Sequence, residues 1–415
     1  MSESPSSASS ASTYSILFVD DDVQLLEGLR AKLHRELRGW KLAFKSSAEQ
    51  ALEHLKENDV DVVVSDMRMP GMDGARFLKR VQNQYPGTVR FMLSGQASEE
   101  ELSRALSVTH QVFTKPCDAA FLVRALRRVL TRIGPLPEDE RRGIVGAPLL
   151  RCVPSLGTKV MKLLSDPEAT LDTISDAVSL DPGLTAKVLQ LANSQFVGAG
   201  AAVRDLRTAV QVIGIANVCV VAVSAESSSR SLRSSKRDLE YFETLAMRAT
   251  LTASVLKLTA LDQDLRIAAV EAARLQYVGV LFRTGDELLR FIDCLNEADA
   301  SPESLEALER ERFGTTHAEM CAALLTMWGI PDCLVDTVAH TLDPESGMEN
   351  EATLAVLDAS AIVDRVLAER MGDVVARNPS PRGKLDGLTE RAESWRPLAE
   401  AAVTQLLAKS QRSAA

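Results

Sequence analysis

The chain has 415 residues, 46% of them hydrophobic, so it is long enough for two or three domains with sizeable cores. Only 4% are aromatic and the net charge is −10, which disfavours a base-stacking surface or a wide phosphate-binding face; no nucleic-acid partner is expected. No apolar run reads as long enough for a membrane span, and the first residues lack a basic-then-apolar leader, so the expectation is a cytoplasmic protein without membrane contact. The six cysteines (Cys117, Cys152, Cys219, Cys294, Cys321 and Cys333) form no CxxC pair and read as reduced, mostly buried small hydrophobes rather than as a disulfide framework or zinc site.

Residues 1–13 are mostly Ser and Ala and read as a disordered tail. Ile16 to Val19 is the first predicted strand, ending at Asp20-Asp21-Asp22, and Leu25, Leu29 and Leu33 then recur at helical spacing. Leu42 to Lys45 is a second strand, and Ser47 to Gln50 is a capping-box pattern opening a helix. Val62, Val63 and Val64 form a short β-branched run that stops at Ser65-Asp66, before a turn at Pro70-Gly71. A helix through Phe77, Leu78 and Val81 follows. Val89 to Leu93 is a fourth strand, closing at Ser94-Gly95, and Ser98 to Glu101 is another capping box. Gln111 to Thr114 is a short fifth strand before Lys115-Pro116, and Leu122, Leu126 and Val129 mark the helix that ends the unit. Five strand–helix units in about 120 residues predict a doubly wound parallel α/β sheet.

Four chemical features fall at predicted strand C-termini: Asp20 with Asp21, Asp66, Ser94 and Lys115. In a parallel sheet those ends share one edge, so the four can converge. Crowded carboxylates repel one another and ask for a hard cation, for which Mg²⁺ is the usual answer, and a hydroxyl and a lysine nearby suit a phosphoryl group. Any one of these features alone is weak; Asp66 by itself reads more readily as an acidic loop residue after a strand.

The stretches ILFVDDD, SDMRMPGMDG, LSG and TKP resemble the receiver domain of two-component response regulators, over residues 14–133. The resemblance implies that Asp66 is the phosphoacceptor, that Asp21 binds Mg²⁺ directly with Asp20 in support, and that the backbone carbonyl of Arg68 is a further ligand. It implies that Ser94 is the hydroxyl switch residue, that Lys115 contacts the phosphoryl group, and that the Lys115–Pro116 bond is cis. The family's aromatic switch, three residues before the lysine, is Val112 here, with Phe113 one later, so an aromatic relay does not carry over.

Residues 134–146 are polar and rich in Pro and Gly and read as a linker. Beyond them strand signals fade. Leu156, Val160, Leu163 and Leu164 fit one helix face, and further helices are predicted at about 171–178, 184–191, 206–224, 239–260, 264–281, 302–311, 316–328 and 332–340, an all-α domain. The motifs LLSDPEATLDTISDAVSLDPGLTAKVLQLANSQFVG, LRTAVQVIGI and HAEMCAALLTMWGIP resemble the HDOD domain, a non-enzymatic relative of HD phosphohydrolases, over residues 147–345. Metal binding in those hydrolases uses an early His, a His-Asp dyad and a later Asp. Gln276 and Tyr277 occupy the dyad's places, and no histidine lies between His110 and His317. His317, His340 and Asp358 read as structural or partner-facing, and Glu311 and Glu319 as solvated helix positions. Residues 346–415 read as a C-terminal helical extension, with a loop at 377–384 and a last helix from Trp395 to Leu407.

The expectation is therefore a response regulator phosphorylated by a sensor histidine kinase, with an HDOD output that lacks enzymatic activity and contacts an unidentified downstream protein, or a second copy of the chain in a homodimer. The competing expectation is a degenerate HD phosphohydrolase, or a nucleotide sensor, in cyclic dinucleotide signalling.

Overall fold

The computed structural model describes residues 14–95, 99–146, 160–163, 166, 168–194, 202–231, 235–298, 302–341, 350–377 and 389–414. The expected tail at 1–13, Ser98 of the second capping box, Cys152, Leu156, Leu164 and most of the 377–384 loop lie outside them.

Five parallel strands, β1 Ser15–Val19, β2 Lys41–Lys45, β3 Val62–Asp66, β4 Val89–Ser94 and β5 Gln111–Thr114, form one sheet in the order β2-β1-β3-β4-β5. Alternation along each strand feeds two cores. Ile16, Phe18, Val62, Val64, Phe91 and Phe113 face one side, and Leu17, Val19, Val63, Met92 and Val112 the other. Helices α1 Val23–Glu36 and α5 Ala119–Ile133 supply the first side. Helices α2 Ala48–Glu57 and α3 Gly74–Gln84 supply the second, joined by Ala105 of α4 Glu99–Leu106. In α1 the core positions are Leu26, Leu29 and Leu33; Leu25 is only half-buried. Ser47 caps α2 by accepting from the Gln50 amide at 3.2 Å, while the Gln50 side chain turns back to Ser46 rather than to the cap residue itself.

The 134–146 segment is not an open linker. It contains helix α6 Glu138–Gly146, whose first turn carries Glu138, Asp139 and Glu140, suited to a helix N-terminus, and whose Ile144 and Val145 are buried. The rest of the chain is helical: α7 Leu171–Val178, α8 Pro182–Ala192, α9 Leu206–Ser231, α10 Lys236–Lys257, α11 Gln263–Leu275, a 3₁₀ turn Val278–Phe282, α12 Asp286–Glu297, α13 Pro302–Phe313, α14 His317–Met327, α15 Asp332–Ala339, α16 Glu351–Arg377, α17 Glu390–Ser394 and α18 Arg396–Ala414. The C-terminal segment is part of the domain core: Ala355, Val356, Ala359, Ile362, Val363 and Val366 of α16 are fully buried, and the helix packs on α10 and α11.

Two expectations need correction. Helix α9 holds an 18-residue window, Leu206–Val223, long and apolar enough by length and composition to cross a membrane, although no run of that length was read from the sequence. Arg207, Gln211 and Asn217 interrupt the apolar residues, and Gly214, at φ 77° and ψ 157°, breaks the helix within the window. Of the five described cysteines, Cys294 and Cys321 are buried, Cys117 and Cys219 are half-buried, and Cys333 is exposed.

The apolar cluster on the α1/α5 side of the sheet continues through α5 and α6 into the helical domain without a break. Polar contacts follow the same seam. Gln111 Nε2 donates to the carbonyls of Thr326 and Met327, at 3.2 and 3.0 Å, in the last turn of α14. Gln190 donates to the His110 carbonyl, Arg128 to Asp332 and the Ile330 carbonyl, and Arg132 to Asp336 at 2.5 Å. Arg90, fully buried on β4, donates to the carbonyls of Val108 at 2.7 Å, Thr88 at 3.1 Å and Val145 at 3.0 Å. Burial lowers Arg90 to about 9 and holds His110 well below the usual histidine range, so His110 is neutral. Its Nδ1 accepts from the Arg90 amide at 3.0 Å, which leaves Nε2 to donate to the Val145 carbonyl at 3.1 Å.

Candidate phosphoryl site at the sheet edge

The chain runs from β1 outward to β2 and then returns past β1 to β3, so the loops after β1 and β3 part and leave a crevice at the C-terminal edge of the sheet. Asp20 and Asp66 end up buried there, and Asp21 is exposed at the mouth. One carboxylate oxygen from each of the three lies within 4.8 Å of the others, and among the described residues this is the group of three or more ligating side chains able to hold a metal ion. Lys115 Nζ reaches in from the end of β5, 2.6 Å from Asp20 Oδ2 and bonded also to Asp66 Oδ1. The Lys115–Pro116 peptide is cis.

Burial pushes the Asp66 carboxyl above its usual value, offset in part by the Lys115 ammonium and helped by repulsion from Asp20. Burial opposes the charge on Lys115, but hydrogen bonds to Asp20 and Asp66 outweigh it and hold the ammonium above the usual lysine range. Two buried carboxylates sharing one lysine with a third at the rim make a site short of positive charge. That donor set of hard oxygens fits Mg²⁺.

The backbone around Asp66 is tightly constrained. The Arg68 amide donates to Asp66 Oδ2 at 2.7 Å, Met67 N to the Leu93 carbonyl at 3.0 Å, and Gly74 N to the Met67 carbonyl at 2.9 Å. A Cβ on Gly74 would stand 1.9 Å from the Asp66 carbonyl oxygen, so only glycine lets α3 start this close to the strand end. Gly74→Ala is expected to lower the thermal midpoint, by about 1–3 kcal/mol of stability, and to cut phosphoryl labelling. Gly28→Ala, at an exposed helical glycine with nothing within 4 Å of its Cβ position, should leave labelling unchanged and raise the thermal midpoint, by up to about 1 kcal/mol of stability. Melting curves and labelling of the two variants make the comparison.

Ser94 is buried at the end of β4, opposite Thr114, and its carbonyl accepts from the Lys115 amide at 2.7 Å. The Arg68 side chain makes a two-point ion pair with Glu101 of α4, at 3.0 and 2.9 Å, and Arg104 pairs with Asp73 at 2.9 Å, so α4 is tied across the rim. Val112 is buried on the face shared with α4, while Phe113 points to the opposite face, 5.2 Å from Phe91 and 5.9 Å from Phe121. Strand alternation thus puts the ring of Phe113 on the wrong side to stand in for an aromatic at position 112.

In the helical domain His317, His340 and Asp358, read from the sequence as structural or partner-facing, each have their own contacts within the chain. Asp358 accepts from Thr389 at 2.8 Å and Arg391 at 2.5 Å, and His340 Nδ1 lies 2.7 Å from the Asp336 carbonyl. His317 is bound through its amide and Nδ1 to Glu309, at 3.0 and 2.9 Å, with its ring edge-on to Phe291. Gln276 donates to the Ala273 carbonyl at 2.9 Å, and Tyr277 is buried beside it. A Cβ on Gly279 would meet the Cys321 amide and the His317 carbonyl at 2.8 Å, so the 3₁₀ turn lies directly on α14. Glu311 is exposed as expected, but Glu319 is not simply solvated: it closes the α14 capping box with Thr316 and pairs with Arg310. Glu309, Arg283 and Arg90, each fully buried, were missed in the sequence because charged residues in a helix or strand read as surface. Arg283 lies 3.8 Å over the Phe313 ring and reaches Glu140 of α6 at 3.3 Å.

Comparison with known proteins places this architecture. The chain belongs to the response regulators of two-component signalling: residues 16–127 match the response regulator receiver domain and residues 150–344 the HDOD domain. Among curated proteins it is similar to the hydrogenase transcriptional regulatory protein HoxA of Cupriavidus necator, 31% identical over 121 residues, covering 29% of this chain and 24% of that protein. It is also similar to the transcriptional regulatory protein GlrR of Escherichia coli K12, 33% identical over 131 residues, covering 31% of this chain and 28% of that one. The chain thus spans about a quarter of the length of each. Among solved structures, the signal receiver domain of an HD domain-containing protein from Pseudomonas fluorescens Pf-5 is 32% identical and covers 29% of this chain and 96% of that one, with a TM-score of 0.27. The response regulator MmoQ of Methylococcus capsulatus is 24% identical over 60% of this chain and 98% of that one, with a TM-score of 0.44.

Proposed function

We propose that Asp66 accepts a phosphoryl group from a sensor histidine kinase, and that the response is a change in how the receiver domain docks on an HDOD domain that works by contact rather than catalysis. In the transfer an Asp66 carboxylate oxygen bonds to phosphorus as the P–N bond of the kinase phosphohistidine breaks, and the departing imidazole takes up a proton. Asp20, Asp21, Asp66 and the Arg68 carbonyl are the residues that would hold Mg²⁺, which when bound offsets the charge of the carboxylates and of the phosphoryl oxygens. The new group brings up to about two negative charges to the site. Lys115, now shared between Asp20 and Asp66, and the hydroxyl of Ser94 are the neighbours positioned to meet that charge.

The observation that carries the reading is β5 itself. One end leads into Lys115 at the site, and at the other Gln111 bonds to the last carbonyls of α14, so a strand of four residues joins the acceptor to the domain interface. With valine at position 112, the strand and its ends are left to carry the shift.

An output that acts by contact fits the helical domain, where His317, His340 and Asp358 are each engaged by separate protein partners. The neutral amide of Gln276 and the phenol of Tyr277 are poor substitutes for His and Asp ligands. The purified full chain should carry no stoichiometric transition metal by elemental analysis and leave cyclic di-GMP and common nucleotides intact with Mn²⁺, Fe²⁺ or Mg²⁺ present. One tightly bound transition metal per chain, with turnover lost in His317→Ala, would restore the phosphohydrolase reading.

A further inference from the structure

Between the two domains lies a cavity of about 550 Å³ that the phosphoryl site does not use. Small-molecule sites fall in the range of roughly 300–1,000 Å³ and favour domain interfaces, with apolar and aromatic walls and a few polar groups that fix orientation. One wall comes from β5 and α5 and includes Phe113 and Phe121; the opposite wall includes Trp328. Phe113 is 1% exposed and packed on Phe91 and Phe121, so the rings that face the cavity are the half-buried Phe121 and the exposed edge of Trp328, and flat rings select a flat apolar ligand.

The polar lining decides the charge. Gln111, Gln190 and Asn193 already donate to backbone carbonyls, so their amides are largely committed. Arg128 is committed to Asp332 and the Ile330 carbonyl. Arg124 is different. It stands exposed at the cavity wall with its guanidinium 5.6 Å from the Phe121 ring centre, and among the described residues it has no carboxylate partner. On a chain of net charge −10, the cavity therefore presents aromatic walls and one uncompensated cation, complementary to a single negative charge. A sugar bearing several hydroxyls would find few open partners there.

We propose that this interdomain cavity binds a flat aromatic compound carrying one anionic group, with the ring between Phe121 and Trp328 and the anion on Arg124. Because its walls come from both domains, such a ligand stabilises their docked arrangement by its own binding free energy.

The test is titration of the full chain with naphthalene-2-carboxylate by calorimetry, and by fluorescence of Trp328 in a Trp40→Phe/Trp395→Phe background. One saturable site per chain with a change in Trp328 emission is expected. Naphthalene-2-carboxamide, which lacks the charge, should bind at least tenfold more weakly, and Arg124→Gln should bring the carboxylate down to the carboxamide's level. Arg124 is exposed, so that variant should keep the wild-type circular dichroism, and calorimetry on it alone decides the matter if the tryptophan replacements impair folding. Absence of saturable binding, or binding indifferent to both Arg124→Gln and loss of the charge, overturns the proposal. Tighter binding of guanosine monophosphate than of the naphthoate overturns the choice of an aromatic acid. A last arm, weaker binding after loading the receiver with beryllofluoride, rests on the proposed function; its failure with naphthoate binding intact would count against that reading alone.

Discussion

Asp66→Asn is expected to abolish alkali-labile phosphoryl labelling by a small phosphodonor in the presence of Mg²⁺, while wild type labels to one group per chain. The amide lacks the anionic oxygen that must bond to phosphorus, and Asp66 ends the central strand β3, between the end of β1 with Asp20 and the end of β4 with Ser94. Asp20 is held in a similar way, its Oδ1 by the Asp22 amide at 3.0 Å and its Oδ2 by Lys115 at 2.6 Å, so labelling of Asp66→Asn also decides between the two carboxylates. Asp21→Ala should instead weaken Mg²⁺ binding and slow labelling without ending it, because one of several hard oxygens is lost. Equal labelling in wild type and Asp66→Asn would reject the acceptor assignment. Measuring label per chain and its stability to alkali separates the outcomes.

The second large effect is expected from Arg128→Glu with Arg132→Glu. Both arginines project from α5 onto the helical domain, Arg128 to Asp332 and Arg132 to Asp336. These pairs are partly exposed, so the attraction lost is small, about 0.2–1 kcal/mol for each. Reversal does more, because it sets carboxylates against carboxylates at both points and removes the donor to the Ile330 carbonyl. Like charges juxtaposed at an interface cost on the order of several kcal/mol. The variant should open the seam, seen as faster proteolysis between the domains and a larger hydrodynamic radius, with Asp66 still labelled. Adding Asp332→Arg and Asp336→Arg should restore the compact form. Opening that the charge swap does not rescue would mean damage to α5 rather than loss of docking.

The α/β half of the fold was legible because its signals are local. Alternating and β-branched runs end in Asp, Ser or Lys at each strand terminus, and chain order in a parallel sheet brings those ends together. Gly74 shows the limit: the sequence marks a turn at Pro70-Gly71, but only the structure reveals the 1.9 Å approach that excludes a side chain at Gly74. Segment 134–146 misled because Gly134, Pro135 and Pro137 signal a break, while the three acids that follow them open a helix. The interface was illegible for a different reason. Gln111, Gln190 and Arg90 act through backbone carbonyls far away in the chain, and nothing near them in sequence records those partners. Asp358, read as structural or partner-facing, is held by Arg391 and Thr389, over thirty residues later, and nothing near it in sequence records those partners either.

The account turns on whether charge at Asp66 reaches the interface through β5. Amide hydrogen exchange, compared with and without beryllofluoride and Mg²⁺, reads this directly. Faster exchange is predicted in two places together: at Gln111–Thr114 with α5, and at the α14–α15 segment from Thr326 to Asp336 that they touch. The same loading of Asp66→Asn should leave both unchanged. Protection that changes only at the loops around Asp20, Asp66 and Ser94, with the 326–336 segment unaffected, would contradict the account.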